Sequence, residues 1–229
     1  SRPFDSSKPA VNIAVIDLPR ISNFTDFDAL RTEPDVDLKI VRSVNDWQKP
    51  DICIIPGSKS VLSDLEYLRE TGLSELICKA AVNGTEIIGI CGGFQMLGRR
   101  ITDPHHIESG KLRSEGLALL PISTTLQEEK ILCRTEASHI HSGLKVAGYE
   151  IHHGTTETDG AGPVLAKSGG EKDGASSLDG KVWGTYLHGI FDKDEFRRWF
   201  IDNARSRKGL SSRGRTGTPY DCEQAFGRL

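Results

Sequence analysis

The residues in this chain best placed to do chemistry are a thiol between glycines, Gly89-Ile90-Cys91-Gly92-Gly93, and an amide close behind it, Gln95. The apolar run Glu86 to Ile90 reads as a strand, and the residues after Cys91 take helical spacing through Leu97. A nucleophile on a sharp strand-to-helix turn projects from the edge of a sheet, and glycines let the backbone make that turn. The first N–H groups of the helix are free and the dipole end there is positive. Both favour the thiolate, which is the nucleophilic form of cysteine. The same N–H groups can hold an oxyanion during acyl transfer, worth about 3–4 kcal/mol per donor. A buried structural cysteine beside a tight turn would produce the same five residues. Gln95 argues against that reading, because it puts an amide one helical turn from the thiol where a packing helix needs none.

A thiol of this kind needs a base, and a histidine near a strand end is the expected source. His188, in Gly184-Thr185-Tyr186-Leu187-His188-Gly189, follows a strand-like run and is the best candidate. His152 and His153, in Tyr149-Glu150-Ile151-His152-His153-Gly154, are its rivals. His105, His106, His139 and His141 lie in polar stretches. His139 and His141 can share one strand face, but no third ligand accompanies them, so no metal site is expected. A second oxyanion donor is expected from Pro56-Gly57-Ser58, where another strand ends. Gly57 there, like Gly92 beside the thiol, allows close backbone approach.

The elements that must position these residues alternate. Val11 to Asp17, Asp37 to Arg42, Asp51 to Ile55 and Glu86 to Ile90 read as strands. A helix is expected near Asp26, from Thr25 and Asp28 in capping-box spacing, and others at Ser60 to Glu70 and Leu73 to Val82. Nearly all-apolar strands alternating with helices indicate a parallel sheet covered on both faces, an α/β fold. The second half reads as strands at Ile131 to Thr135, Ala147 to His152, Pro163 to Lys167 and Lys181 to Tyr186, joined by Gly- and Ser-rich loops. Asp194 to Arg205 closes the pattern as a helix. One domain is expected over 11–205, with a linker at 1–10 and a mobile basic tail at 206–229.

Composition limits the partners. The 229 residues are 37% hydrophobic and 27% charged, ordinary for a globular chain with a core. A formal net charge of -3 offers no surface for nucleic acid or an anionic membrane. There is no apolar run of about 18 residues, and SRPFDSSKPA is not a signal peptide. The five cysteines are odd in number, widely spaced and without a C-x-x-C pair. That speaks against a disulfide framework or zinc knuckle and suits a cytoplasmic protein.

Five strings together carry a family resemblance over about Asn12 to Trp199. They are Leu18-Pro-Arg-Ile-Ser-Asn-Phe-Thr-Asp-Phe-Asp28, Ile55-Pro-Gly-Ser58, Gly89-Ile-Cys-Gly-Gly-Phe-Gln-Met-Leu-Gly98, Tyr149-Glu-Ile-His152 and Gly184-Thr-Tyr-Leu-His-Gly189. The chain resembles the class I, or triad-type, glutamine amidotransferases, and among them the C-terminal glutaminase domains of cobyric acid synthases. The resemblance implies a flavodoxin-like three-layer sandwich. It implies Cys91 as nucleophile, His188 as its base, and Gly57, Gly92 and Gln95 around the oxyanion and the substrate. It implies L-glutamine as substrate, with ammonia passed to a synthetase domain that amidates carboxylates of adenosylcobyrinic acid a,c-diamide in cobalamin synthesis. ATP and Mg are expected only in that synthetase, since no G-x-x-x-x-G-K-[ST] loop occurs here. The corrinoid acceptor should likewise be bound mainly there. Most triad enzymes carry a glutamate two residues after the histidine, where this chain has Ile190. Glu150 or Asp192 would then orient the imidazole, or no acid does. A catalytically silent module on the same fold and a related cysteine hydrolase are the alternatives.

Overall fold

The computed structural model describes residues 10–108, 110–214 and 220, and their strands form two six-stranded sheets. In the first sheet β1 (Val11–Ile16), β2 (Val36–Val41), β3 (Ile52–Ile55) and β4 (Glu86–Ile90) run parallel. The second sheet contains β5 (Arg100–Thr102), β6 (Arg113–Glu115), β7 (Ile122–His139), β8 (Lys145–Thr158), β9 (Leu165–Lys167) and β10 (Lys172–Asp173). The chain then returns to the first sheet through β11 (Ala175–Ser176) and β12 (Val182–Thr185), giving the order β11-β12-β4-β3-β1-β2. Only β11 in this sheet is antiparallel.

Both faces of the parallel sheet are covered. Consecutive β1 residues point to opposite faces, yet Ile13, Ala14, Val15 and Ile16 are all buried. The covering helices are α1 (Asp28–Arg31), α2 (Val61–Glu70), α3 (Leu73–Val82), α4 (Gly92–Met96) and α5 (Asp194–Arg207). Helix α5 buries Phe196, Phe200 and Ala204 in one stripe at helical spacing. Three arginines are buried with it, each paired: Arg197 with Glu33, and Arg198 and Arg205 with Asp35. Buried guanidinium groups persist only with such partners.

The structure departs from the sequence reading in several places, among them the unexpected short strands β5, β6, β10 and β11. Thr25 and Asp28 do not form a capping box. The turn Thr25–Phe27 is a 3-10 helix, and both the N–H and hydroxyl of Thr25 donate to Asn23 Oδ1. An Asx side chain therefore organises this turn. Strands β7 and β8 are also far longer than the fragments expected, because residues 127–134 of β7 stand in solvent and carry no alternation. Finally α5 runs past Arg205, and Asp202 then accepts from Ser212, Arg213 and Gly214. The rest of the expected tail, 215–219 and 221–229, and linker residues 1–9 lie outside the described residues.

Candidate active site

Three loops meet at the carboxyl edge of the parallel sheet, after β3, β4 and β12, where open α/β sheets place their ligands. Register brings them level: Ile55 pairs with Gly89, and Ile90 with Thr185. Cys91 follows β4 directly, at φ 51° and ψ −109°, with its N–H held by Thr185 O at 2.8 Å. A side chain at φ of this sign is strained and persists only where its surroundings enforce it. Here the glycines do so: a Cβ on Gly93 would collide with the Ile55 carbonyl, and one on Gly92 would lie 2.8 Å from Ser58 N. The β3 and β4 loops therefore touch backbone to backbone.

His188 arrives after β12 and is fully buried. Its ring is stacked on Tyr149 of β8, centroids 5.0 Å apart, and the two residues exchange backbone hydrogen bonds. Gly57 is packed against the same ring: a Cβ there would lie 2.9 Å from His188 Cε1. The His188 Nδ1 is 2.7 Å from Asp26 Oδ2, and the Gly189 N–H donates to the other Asp26 oxygen at 3.0 Å. Asn23 Nδ2 donates to both Asp26 and the Tyr149 hydroxyl. Nδ1 thus bears the proton shared with a carboxylate, leaving Nε2 free of any bonded partner beside the thiol. Burial alone would lower the imidazole, but Asp26 and Cys91 outweigh it and raise it to about 10.

This geometry corrects the choice of orienting acid. Neither Glu150 nor Asp192 reaches His188. Glu150 accepts from Thr135 at 2.7 Å and Lys167 at 2.8 Å. Successive residues of a strand face opposite ways, so when Tyr149 stacks on His188 its neighbour Glu150 must turn away. Asp192 bonds Gly189 through its backbone N–H, and burial with the nearby Asp26 charge pushes its carboxyl up to about 7. Asp26 comes from the string Leu18 to Asp28, in the loop after β1. Ser22 N–H and Lys59 N–H link that loop to the β3 loop, bonding Gly57 O and Arg20 O. Ile190, at the usual glutamate position, is buried in the core.

The other predicted residues fall as follows. Gln95 is buried, donates to the Tyr186 hydroxyl at 3.2 Å, and lines the same cavity of about 310 Å³ as Cys91 and His188. Ser22 lines it too, with a buried Oγ that has no partner. The Cys91 thiol donates to Ile151 O at 3.4 Å. Of the rivals to His188, His152 and His153 also line the cavity, but their Nδ1 atoms bond the Gly154 and Gln127 carbonyls. His139 packs among Phe196, Trp199 and His141, and burial with His141 lowers it to about 4. Among the described residues no three His, Cys, Asp or Glu side chains converge as metal ligands, and no helix is long and apolar enough to cross a membrane.

A thiol on a strained elbow, an acid-held imidazole and a parallel sheet define a class of protein. The fold is that of the class I glutamine amidotransferases. It is similar to a solved glutamine amidotransferase at TM-score 0.62 and 18% identity, over 85% of this chain and 98% of that one. It is also similar to PurLQS from Thermotoga maritima at TM-score 0.58 and 20% identity, over 78% of this chain and 87% of that one. The chain belongs to the CobB/CobQ-like glutamine amidotransferase domain family, whose model matches residues 12–196. It is 48% identical, over 98% of its length, to the adenosylcobalamin biosynthesis bifunctional protein CobDQ of Leptospira interrogans, covering 26% of that protein. It is 43% identical, over 96% of its length, to a cobyric acid synthase of Nitratidesulfovibrio vulgaris, covering 47% of it. The chain therefore spans half or less of the length of these relatives.

Proposed function

We propose that this chain is the glutamine-hydrolysing part of a cobyric acid synthase and that Cys91, His188 and Asp26 act as its catalytic triad. The observation carrying the proposal is the Asp26–His188 contact beside the Cys91 elbow. It supplies an orienting acid to a sequence that lacks the usual one. Asp26 fixes the proton on Nδ1, so Nε2 faces the sulfur and holds the proton taken from it, with His188 as an imidazolium. The sulfur attacks the side-chain amide carbon of glutamine, and the N–H groups of Gly57 and Gly92 receive the resulting oxyanion. His188 returns the proton to the amide nitrogen, the C–N bond breaks and ammonia leaves. Water, deprotonated by His188, then cleaves the glutamyl thioester and frees the thiol. Gln95 and the unpaired Ser22 hydroxyl hold the substrate in the cavity.

The ammonia would serve an amidating half that lies in the remaining length of the relatives. That half would use ATP and magnesium and bind the corrinoid acceptor, adenosylcobyrinic acid a,c-diamide. The test is Cys91→Ser in the chain joined to its synthetase. Glutamine-supported amidation should be abolished, amidation with external ammonium retained, and labelling by an electrophilic glutamine analogue lost. Glutamate release from Cys91→Ser at the wild-type rate would refute the proposal.

A further inference from the structure

Where the two sheets join, the hydrolysis leaves a buried carboxylate unused. Asp173 ends β10 in the second sheet and is 7% exposed. The chain then enters β11 and pairs with β12, Ala175 opposite Gly184. Gly174 makes that passage at φ 78°, and a Cβ on it would collide with the Gly184 carbonyl. The crossing is backbone against backbone, and it brings the Asp173 side chain to the end of β12.

Strand β12 stops at Thr185, and the chain continues through Tyr186 and Leu187 to His188. The N–H groups of that turn leave the strand ladder, and buried N–H groups need acceptors. Asp173 Oδ2 accepts the Tyr186 N–H at 3.2 Å and also accepts from the Thr185 hydroxyl. The Thr185 hydroxyl oxygen accepts the Leu187 N–H at 3.1 Å. A hydroxyl has one hydrogen, so its donation to Asp173 leaves its lone pairs to Leu187. The carbonyl of the same threonine holds the Cys91 N–H at 2.8 Å. Thr185 therefore joins the strained thiol to the turn that carries the imidazole.

A carboxylate is a costly way to satisfy these donors. Burial raises the Asp173 carboxyl. The Thr185 hydroxyl opposes that rise, the Glu150 charge adds to it, and Lys167 and the Tyr186 N–H offset it. What the charge adds is strength, since charge-assisted hydrogen bonds are roughly twice as strong as neutral ones. We infer that Asp173 is a positioning residue for both catalytic arms. Acting through Thr185, it fixes where the Cys91 thiol stands relative to the His188 ring, and it touches neither substrate nor the reacting atoms itself. Proton transfer between sulfur and Nε2 depends steeply on that alignment. The inference rests on the Cys91–His188 reading, but alignment can be measured without turnover.

The test is the pH profile of Cys91 alkylation by iodoacetamide, read beside glutamine turnover, in Asp173→Asn and Thr185→Val. Both changes keep the side-chain shape. Labelling is read at Cys91 by peptide mass, because Cys133 is exposed. In each variant the profile should move to higher pH by about one pH unit, as the thiolate loses its aligned imidazolium. The kcat for glutamate release should fall about tenfold, with KM changed less than about twofold. The two changes together should cost no more than the larger single one, since one residue acts through the other. Thr185→Ser keeps the hydroxyl and should recover the wild-type profile, which decides the matter if Asp173→Asn fails to fold. An unmoved profile in Asp173→Asn and Thr185→Val overturns the inference, and so do losses that multiply in the double variant. Lower stability in urea with an unmoved profile makes Asp173 a structural support and overturns it as well. A wild type that releases no glutamate, while the variants still move the profile, sinks the glutaminase reading and leaves the positioning role standing.

Discussion

The two sheets of this molecule are built on opposite terms. In the parallel sheet Ile54, Ile55, Ile87 and Ile88 are fully buried, and hardly a side chain of β3 or β4 meets water. In the second sheet the β7–β8 ribbon carries Ile131 at 45% and Leu132 at 72% exposure. Even so, the candidate site draws on both. The parallel sheet supplies the strained thiol and the imidazole, which need a rigid support. The ribbon supplies Tyr149 under the His188 ring and the Ile151 carbonyl beside the sulfur. The lesson is that burial and function divide differently. Rigidity is concentrated in one sheet, while the seam between the sheets holds the chemistry, and the loop carrying Asp26 belongs to neither.

That loop gives the largest expected effect. Asp26→Asn keeps the shape of the side chain but removes the charge and can impose the wrong tautomer on His188. Glutamate release should fall about 10²- to 10⁴-fold in kcat, with KM changed little. The same variant should alter titration. His188 is raised to about 10 in the wild type, so its 13C and 15N resonances should stay those of an imidazolium through pH 8. In the variant they should titrate well below that. The linkage sign follows: a raised value adds stability that is complete below about pH 6.5 and is lost as pH climbs through about 10. Asp26→Asn should erase that slope in urea unfolding. A variant with unchanged kcat and an unchanged His188 titration would remove Asp26 from the triad and return the orienting role to the parallel sheet.

The clamp that holds both arms of this pair comes next. Arg197 donates to Glu33 at 2.8 Å, on the chain leaving the Asp26 turn, and to the carbonyls of Phe191 and Asp192, just past His188. Arg197→Met takes one of two arginines from the buried Glu33, which keeps Arg198 at 3.0 Å, and removes the donors to the Phe191 and Asp192 carbonyls, costing about 1–3 kcal/mol in chemical denaturation. A loss under 1 kcal/mol would show that the Asp26 loop is held by its own Asn23 turn instead.

These residues also mark where the sequence could be read and where it could not. Cys91, Gln95, His188 and Gly57 announce themselves through local pattern: a glycine-flanked thiol, an amide one turn on, strand-end loops. The structure brings all four to one place. Asp26 lies 162 residues from its partner, and nothing in its spacing connects it to His188. Only the whole string from Leu18 to Asp28 was a signal, and its physical task emerges once Ser22, Asn23 and Asp26 are seen to grip the β3 loop, Tyr149 and His188. Glu150 was a candidate only in place of the missing glutamate at Ile190; it sits beside Tyr149, which pairs with His188, but strand alternation points it the other way. The parallel strands were legible because two buried faces force continuous apolar runs. The ribbon was not, because Gln127 to Arg134 is solvated on its faces and the pairing of β7 with β8 slips register between Leu126 and Ile131, so pattern carries no information there.

Ile54→Ala in β3 should cost about 2–5 kcal/mol, as for other large-to-small changes in closed cores. The matching truncation in the ribbon makes the smallest change and tests the contrast most sharply. Leu132 pairs with Ile151 through the backbone, and truncation leaves those hydrogen bonds intact. Its side chain is largely in water already, so Leu132→Ala removes little apolar contact. The loss in urea unfolding should stay within about 0.5 kcal/mol, the range of ordinary surface changes. Glutamate release should change less than twofold, because the Ile151 carbonyl that receives the thiol is held by the strand and not by the Leu132 side chain. A loss above 1 kcal/mol would mean that the ribbon is stabilised by its exposed face in solution. A large fall in turnover at unchanged stability would mean that Leu132 keeps Ile151 in place, and the second sheet would then share the demand for rigidity assigned here to the first.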